Sequence, residues 1–199
     1  MNDNPATLAA PGAGSNGPAW EEGVLEALYE AAFSQPGAEI VGVLVGPTLP
    51  AGVRPQIAAM IPASTTRFPH RAELGHEAWA YIHSTMARYY SGLEIVGWWV
   101  SRPGTGTELD DAELVAAAEL FAQPSQFGFV FDSRQRLAAL YGWHTGRYVR
   151  LQEQPVPRRF TRPQQTGGSL SPAFAALGIG VAMGVLGWLA TGKPGLSVV

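Results

Sequence analysis

The hydrophobic and polar positions of the chain repeat in two ways, and each way predicts a different element. Apolar residues that recur every three or four positions predict helices over residues 20–33, 71–90 and 110–122. Short β-branched or aromatic runs between turn-forming residues predict strands at 40–45, 56–61, 94–100, 127–131, 137–141 and 148–151. Because the helices are inserted among strands joined by short turns, we expect an α/β domain in which helices flank one mixed sheet in two or three layers.

The composition changes on either side of this domain, which we place at residues 19–152. Residues 1–18 are rich in proline, glycine, alanine, asparagine and serine, and this composition predicts a flexible N-terminal tail. Residues 153–172 combine proline and glycine with arginine, which is typical of a linker. We therefore expect one folded domain with further segments at both ends.

A long apolar segment follows the linker. Residues 173–190 contain no charged side chain, and about 20 apolar residues suffice to cross the roughly 30 Å hydrocarbon core of a bilayer. A buried core helix is the alternative, but each glycine would destabilise a soluble helix by about 1 kcal/mol. We predict a transmembrane tail anchor at 173–191 and a short C-terminal tail at 192–199. Small residues at Ala176, Gly180 and Gly184 indicate a helix-packing face, with chance in a Gly/Ala-rich segment as the other explanation.

Arginine residues determine the orientation that we expect for this anchor. Arg158, Arg159 and Arg162 precede the apolar segment, whereas only Lys193 follows it. The positive-inside rule then places the folded domain in the cytoplasm, as part of a membrane protein with a single C-terminal span. The same arginines are suited to contact anionic lipid.

The overall composition excludes several kinds of site. The 199 residues include no cysteine, which excludes disulfides, thiolate zinc sites and a cysteine nucleophile. The net charge of −3 does not indicate a nucleic-acid partner. The sequence has no phosphate-binding loop and no dinucleotide fingerprint, and we expect no cofactor.

Two strand segments on either side of a predicted long helix carry a distinctive pattern. Residues 39–46 read EIVGVLVG, and residues 92–104 read GLEIVGWWVSRPG. This pair resembles the JAB/MPN family, also called JAMM. In active members a glutamate before the first strand is the general base, and a His-Ser-His-Pro sequence at the end of the second holds zinc together with a later aspartate. The resemblance covers about residues 20–150 and implies an MPN-like, cytidine deaminase-like fold.

The metal-binding positions of that family hold other residues in this chain. The resemblance places Val100 and Arg102 where active members have their two histidines, and Glu113 where they have the aspartate. Valine has no lone pair and arginine is a permanent cation, so these positions do not supply three zinc ligands. We therefore expect a vestigial site that binds no metal and catalyses no reaction. Its positions are Glu39, Val100, Ser101, Arg102, Asp110 and Glu113.

Two structural roles are expected within the vestigial site. Arg102 is expected to form an ion pair with Glu39 or Glu113, which would fill the position of the metal. Asp110 and Glu113 have the spacing of a capping box, in which each side chain binds the backbone of the other residue at the start of a helix. Asp110 and Glu113 are thereby explained without catalysis.

Histidine and tryptophan residues outside these positions have structural explanations. His76 and His83 are seven residues apart on a predicted helix, a separation of about 10 Å that is too long for a shared ion. Trp98 and Trp99 should point to opposite faces of the sheet because side chains alternate along a strand. We expect both in the core of a sheet covered on both sides, with exposure at an interaction surface as the alternative.

These patterns favour a non-catalytic MPN-like scaffold or adaptor that is anchored in a membrane and mediates protein–protein assembly. The expected partner is another MPN-like subunit or a second copy of the chain. One alternative is a divergent metal-dependent hydrolase or peptidase whose site is rebuilt around Glu39, Glu113 and a histidine. The other is a sensor that binds a peptide or an anionic ligand in the vacant cleft near Arg102.

Overall fold

The computed structural model describes residues 17–50, 53–67, 69–123 and 125–156. The chain divides into two units, Met1–Pro163 and Gln164–Val199, and all of the described residues belong to the first. The elements in chain order are β1 (Ala19–Trp20), α1 (Val24–Ser34), β2 (Ala38–Pro47), β3 (Gln56–Ile57), β4 (Ala59–Arg67), α2 (His76–Tyr89), β5 (Leu93–Arg102), α3 (Asp111–Leu120), β6 (Phe127–Asp132), β7 (Leu137–His144) and β8 (Arg147–Pro155).

Six of the strands form one mixed sheet in the order β4-β2-β5-β6-β7-β8. Neighbouring strands are antiparallel except for β5 and β6, which are parallel. A parallel pair requires a crossover connection, and α3 provides it between β5 and β6. β1 and β3 form a separate parallel pair of two residues each. The prediction of a mixed sheet flanked by helices is confirmed.

The helices cover both faces of the sheet. On one face α1 packs through Tyr29 and Phe33 against Phe131 of β6, with ring centroids 5.3 and 5.2 Å apart. On the other face Ile82 of α2 and Ala117 of α3 belong to an apolar cluster with residues of β2, β5 and β6. The domain therefore has three layers, which is the larger of the two predicted arrangements.

Trp98 and Trp99 confirm the alternation of side chains along β5. Their exposed fractions are 6% and 0%, so both belong to the core. Trp98 lies in the cluster that α2 and α3 cover. Trp99 lies on the opposite face, against Gly42 of β2, where a Cβ atom would stand 2.6 Å from the indole nitrogen. Glycine at position 42 therefore makes room for Trp99.

Two predicted element boundaries are wrong for identifiable reasons. Trp20 does not begin α1 but pairs with Ile57 in the β1–β3 ladder, and Gly23 at φ 80° precedes the first helical residue. Pro62 does not end a strand, because β4 continues through it to Arg67. β4 is an edge strand, and the register shift at Val41–Gly42 of β2 lies opposite Pro62.

The second helix is shorter than predicted. It begins at His76, and the residues from 71 to 75 form an extended segment before it. Tyr89, which belongs to the predicted apolar stripe, is 59% exposed, with the guanidinium of Arg88 at 5.1 Å from the ring centroid. Ala78 and Ile82 are the buried positions of that stripe.

The last strand runs beyond the predicted end of the domain at residue 152. β8 continues to Pro155, and Val156 is buried and donates its N–H to the carbonyl of Arg136 at 2.8 Å. The first residues of the predicted linker are therefore part of the sheet. The anchor at 173–191, its small residues and the arginines before it lie outside the described residues. Within the described part of the chain, no helix is long and apolar enough to cross a membrane.

Candidate functional site

A cleft of about 390 Å³ opens on the face of the sheet that α2 and α3 cover. Its floor is formed by Val41 of β2 and by Trp98 and Val100 of β5. One wall is the extended segment 71–75, and the other is α3 with Phe121. Val41 and Val100 are paired across the β2–β5 ladder, so the cleft lies where the start of β2 meets the end of β5. Most of its lining is apolar.

Glu39 stands at the start of β2 and lines this cleft. Only 6% of the residue is exposed, and Oε1 accepts the backbone N–H of Ala72 at 3.1 Å. Burial raises the pKa of this carboxyl; the N–H of Ala72 and the positive charges of Arg102 and Arg71 act in the opposite direction, and Glu113 adds to the rise. Glu39 is therefore a buried carboxyl with a raised pKa that borders an apolar space.

Arg102 is buried at the end of β5, with 3% of the residue exposed. Each of its three guanidinium nitrogens donates to a protein acceptor. Nη1 pairs with Oε1 of Glu113 at 2.5 Å, Nε donates to the carbonyl of Gly106 at 3.1 Å, and Nη2 donates to the carbonyl of Glu108. The expected ion pair is confirmed, and its partner is Glu113. Arg102 does not line the cleft.

Asp110 and Glu113 form the predicted capping box at the start of α3. Oδ1 of Asp110 accepts the N–H of Glu113 at 2.8 Å, and Oε2 of Glu113 accepts the N–H of Asp110 at 2.8 Å. Arg71 bridges the pair from outside, at 2.7 Å from Asp110 and 3.0 Å from Glu113. The N–H of Glu113 and the guanidinium of Arg71 lower the pKa of Asp110. Glu113 therefore caps a helix and neutralises Arg102 at the same time.

Ser101 is separated from the other positions of the resemblance. Val100 faces the cleft and is 7% exposed, so the neighbouring Ser101 points to the other face of β5. Ser101 is completely buried, and its Oγ has no hydrogen-bond partner among the described residues. The structure thus brings Glu39, Val100, Arg102, Asp110 and Glu113 to one side of the sheet and leaves Ser101 on the opposite side.

Asp132 at the end of β6 is a key residue that the sequence pattern identifies only as part of a turn. It is completely buried, and its carboxylate accepts four backbone N–H groups, those of Gly104, Gly106, Arg134 and Gln135, at 2.6 to 3.0 Å. These bonds fasten the segment that follows β5 to the turn that follows β6. An aspartate at the end of an apolar strand often accepts N–H groups of the following turn, so the local sequence indicates the bonds from Arg134 and Gln135. The bonds from Gly104 and Gly106 join residues that are far apart in the chain, and the local sequence does not predict them.

The donor set around the cleft does not match a zinc site. No histidine lines the cleft, and His70, His76, His83 and His144 are all exposed. Across the residues that the structure describes, no group of three His, Cys, Asp or Glu side chains is placed to hold a metal ion. Of the two carboxylates that face the cleft, Glu113 is already bound to Arg71 and Arg102, and Glu39 alone does not supply the three protein ligands of a zinc ion.

Comparisons with known proteins find similar solved structures. No protein-family profile matches the sequence, and no curated protein matches it. The chain is similar to the solution structure of a protein from Salinibacter ruber, with a TM-score of 0.45 and 17% identity over 77% of this chain and 96% of that one. It is also similar to a protein from Desulfitobacterium hafniense, with a TM-score of 0.47 and 12% identity over 70% and 90% of the two chains.

Proposed function

We propose that this protein is a non-catalytic MPN-like scaffold or adaptor, held at a membrane by its C-terminal segment with the folded domain in the cytoplasm. The observation that carries the proposal is the buried pair of Arg102 and Glu113. In the resemblance to JAB/MPN proteins these two positions belong to zinc ligands. Here a permanent cation and its counter-ion occupy them, and both are used to hold α3 in place.

The pair is difficult to exchange for a metal ion. Moving Arg102 away would leave the carbonyls of Gly106 and Glu108 without their donor and would remove one of the two cations that balance Glu113. Breaking a buried ion pair in this way typically costs about 3–5 kcal/mol. The arrangement is therefore suited to a structural role.

An exposed apolar surface on α3 and β8 supports the assembly role. Val115 of α3 is 57% exposed. A groove of about 520 Å³ between the two elements is lined by Leu114, Val115, Ala118 and residues 146–150. A helix with apolar residues on both its buried and its outer side is typical of one that packs against a second partner. We assign the partner-binding surface to this groove.

Isolation of the full chain from native membranes in mild detergent tests the proposal. We expect a stoichiometric protein partner in mass spectrometry and less than stoichiometric zinc in metal analysis of the same eluate. The Val115→Arg variant should lose the partner, whereas Glu119→Arg, an exposed position of the same helix, should keep it. A solitary protein with about one zinc per chain would contradict the scaffold function.

A further inference from the structure

Of the buried charged side chains around the cleft, only Glu39 has no ion pair among the described residues. Arg71 pairs with Asp110 and Glu113, and Arg102 pairs with Glu113, so these two arginines and two carboxylates compensate one another. Glu39 has no ion pair with any of the described residues, and of its two oxygens only Oε1 has a hydrogen-bond partner among them, Ala72 N–H. The other oxygen, Oε2, is thus left without a hydrogen-bond partner among the described residues, at the edge of an apolar space.

From this arrangement we infer that the cleft binds a small apolar ligand carrying one ammonium group, with the ammonium held by Glu39. A buried carboxylate without an ion pair is stabilised most by a cationic hydrogen-bond donor. This ligand site would be an additional function of the proposed scaffold. It lies in the cleft and is lined by other residues than the partner-binding groove.

The walls of the cleft fit the apolar body of such a ligand. The volume of about 390 Å³ lies within the range of small-molecule pockets, which is about 300–1,000 Å³. Leu74, Leu109 and Val100 supply aliphatic contacts, and Trp98 and Phe121 supply aromatic ones. Aromatic rings in the lining also favour a cation over an anion, because the face of the ring is electronegative.

An anionic ligand does not fit this charge pattern. Arg102, the residue on which the anionic alternative depends, is turned into the protein and has an acceptor on each nitrogen. Arg71 reaches the cleft but is already bound to two carboxylates. A ligand carboxylate would therefore lie near Glu39 without a free cation to offset the repulsion.

The test compares three probes of the same shape on the purified full chain in detergent. They are 4-phenylbutylamine, 4-phenylbutanol and 4-phenylbutanoate, measured by isothermal titration calorimetry and ligand-observed NMR. We expect the amine to bind about 10- to 100-fold more tightly than the alcohol, as for a hydrogen bond between charged groups, and the carboxylate to bind most weakly. Binding of none of the three at millimolar concentration, or a preference for the carboxylate, would overturn the inference.

Variants locate the effect on Glu39. Glu39→Gln keeps the acceptor for the N–H of Ala72 and should remove the preference for the amine. The matched control is Glu94→Gln, an exposed glutamate of β5 that does not line the cleft. Ala116→Trp, which fills the cleft from the exposed side of α3, should weaken all three probes and leaves Glu39 in place. A preference for the amine that survives in Glu39→Gln, or full binding in Ala116→Trp, would place the ligand elsewhere and refute the assignment.

Discussion

The guanidinium of Arg102 has two kinds of partner, a carboxylate and two backbone carbonyls, and they differ in how well the sequence predicts them. From the sequence we expect an ion pair of Arg102 with Glu39 or Glu113, and the structure shows Glu113 as the partner. The two carbonyl acceptors, those of Gly106 and Glu108, depend on the path of a loop that no local pattern specifies. The charge pairing was therefore predictable, and the complete coordination of the guanidinium was not.

Replacing Arg102 by methionine should destabilise the domain by about 3 kcal/mol. This value is at the low end of the range for broken buried pairs because Arg71 still contacts Glu113. Urea denaturation of the full chain, followed by circular dichroism, measures the change. Arg150→Met is the control, because Arg150 also has two carboxylate partners but is 38% exposed, and its loss should cost less than about 1 kcal/mol. Equal costs for the two variants would contradict the structural role of Arg102.

Glu39→Gln should stabilise the domain at neutral pH. A carboxyl whose pKa is raised by folding binds its proton more tightly in the native state, so it lowers stability above that pKa. This cost disappears as the pH falls through the raised pKa towards the ordinary value of a glutamate. The difference in unfolding free energy between wild type and variant should therefore be largest at pH 7 and shrink on acidification. Denaturation at several pH values tests this, and an increase of the difference at low pH would contradict it.

At the level of elements, the start of α3 was the most predictable feature of the site. The spacing of Asp110 and Glu113 is a local signal, and the capping box forms as that signal indicates. The alternation of Trp98 and Trp99 is equally local. The continuation of β4 through Pro62 was not predictable, because it depends on the position of β4 at the edge of the sheet and on a bulge in β4 at Ala63. Edge position is a property of the assembled sheet and has no signature in the strand itself.

Asp110→Ala should destabilise the domain by about 1–2 kcal/mol, as expected for the loss of a helix cap. The variant removes the acceptor for the N–H of Glu113 and the exposed pair with Arg71. Asp111→Ala is the control, since Asp111 is an exposed acidic residue of the same first turn. Thermal denaturation of both variants measures the difference. If the two variants have the same melting temperature, the cap does not contribute to stability.

For the whole molecule, the fold class of the domain was predictable from the sequence, but its C-terminal limit was not. The class of the folded domain was predictable because hydrophobic periodicity reports directly on which faces are buried, whereas the sequence left two or three layers open. Its C-terminal limit was placed too early, since Arg150, Gln152 and Glu153 are polar residues of an exposed edge strand. Polar side chains from Gln152 onward conceal the extension of β8 beyond the predicted strand at 148–151.

The chain shortened after residue 163 should leave the membrane fraction. We expect the full chain to sediment with membranes at high salt and to be released by detergent, because an apolar span cannot be extracted by salt. The shortened chain should remain in the supernatant. Triple replacement of Arg158, Arg159 and Arg162 by glutamine is the control for purely electrostatic attachment. Release of the full chain by salt alone would contradict a transmembrane anchor.

The four backbone N–H groups that bind Asp132 have a consequence for zinc binding at positions 100 and 102. Two of the four, the N–H groups of Gly104 and Gly106, hold the segment after β5, and the carbonyl of Gly106 in this segment accepts Nε of Arg102. Histidines introduced at 100 and 102 would meet a backbone that is already held in this conformation. We expect the double variant Val100→His, Arg102→His to bind no stoichiometric zinc in a titration, because the contacts of Asp132 keep the segment after β5 in the conformation that binds a guanidinium.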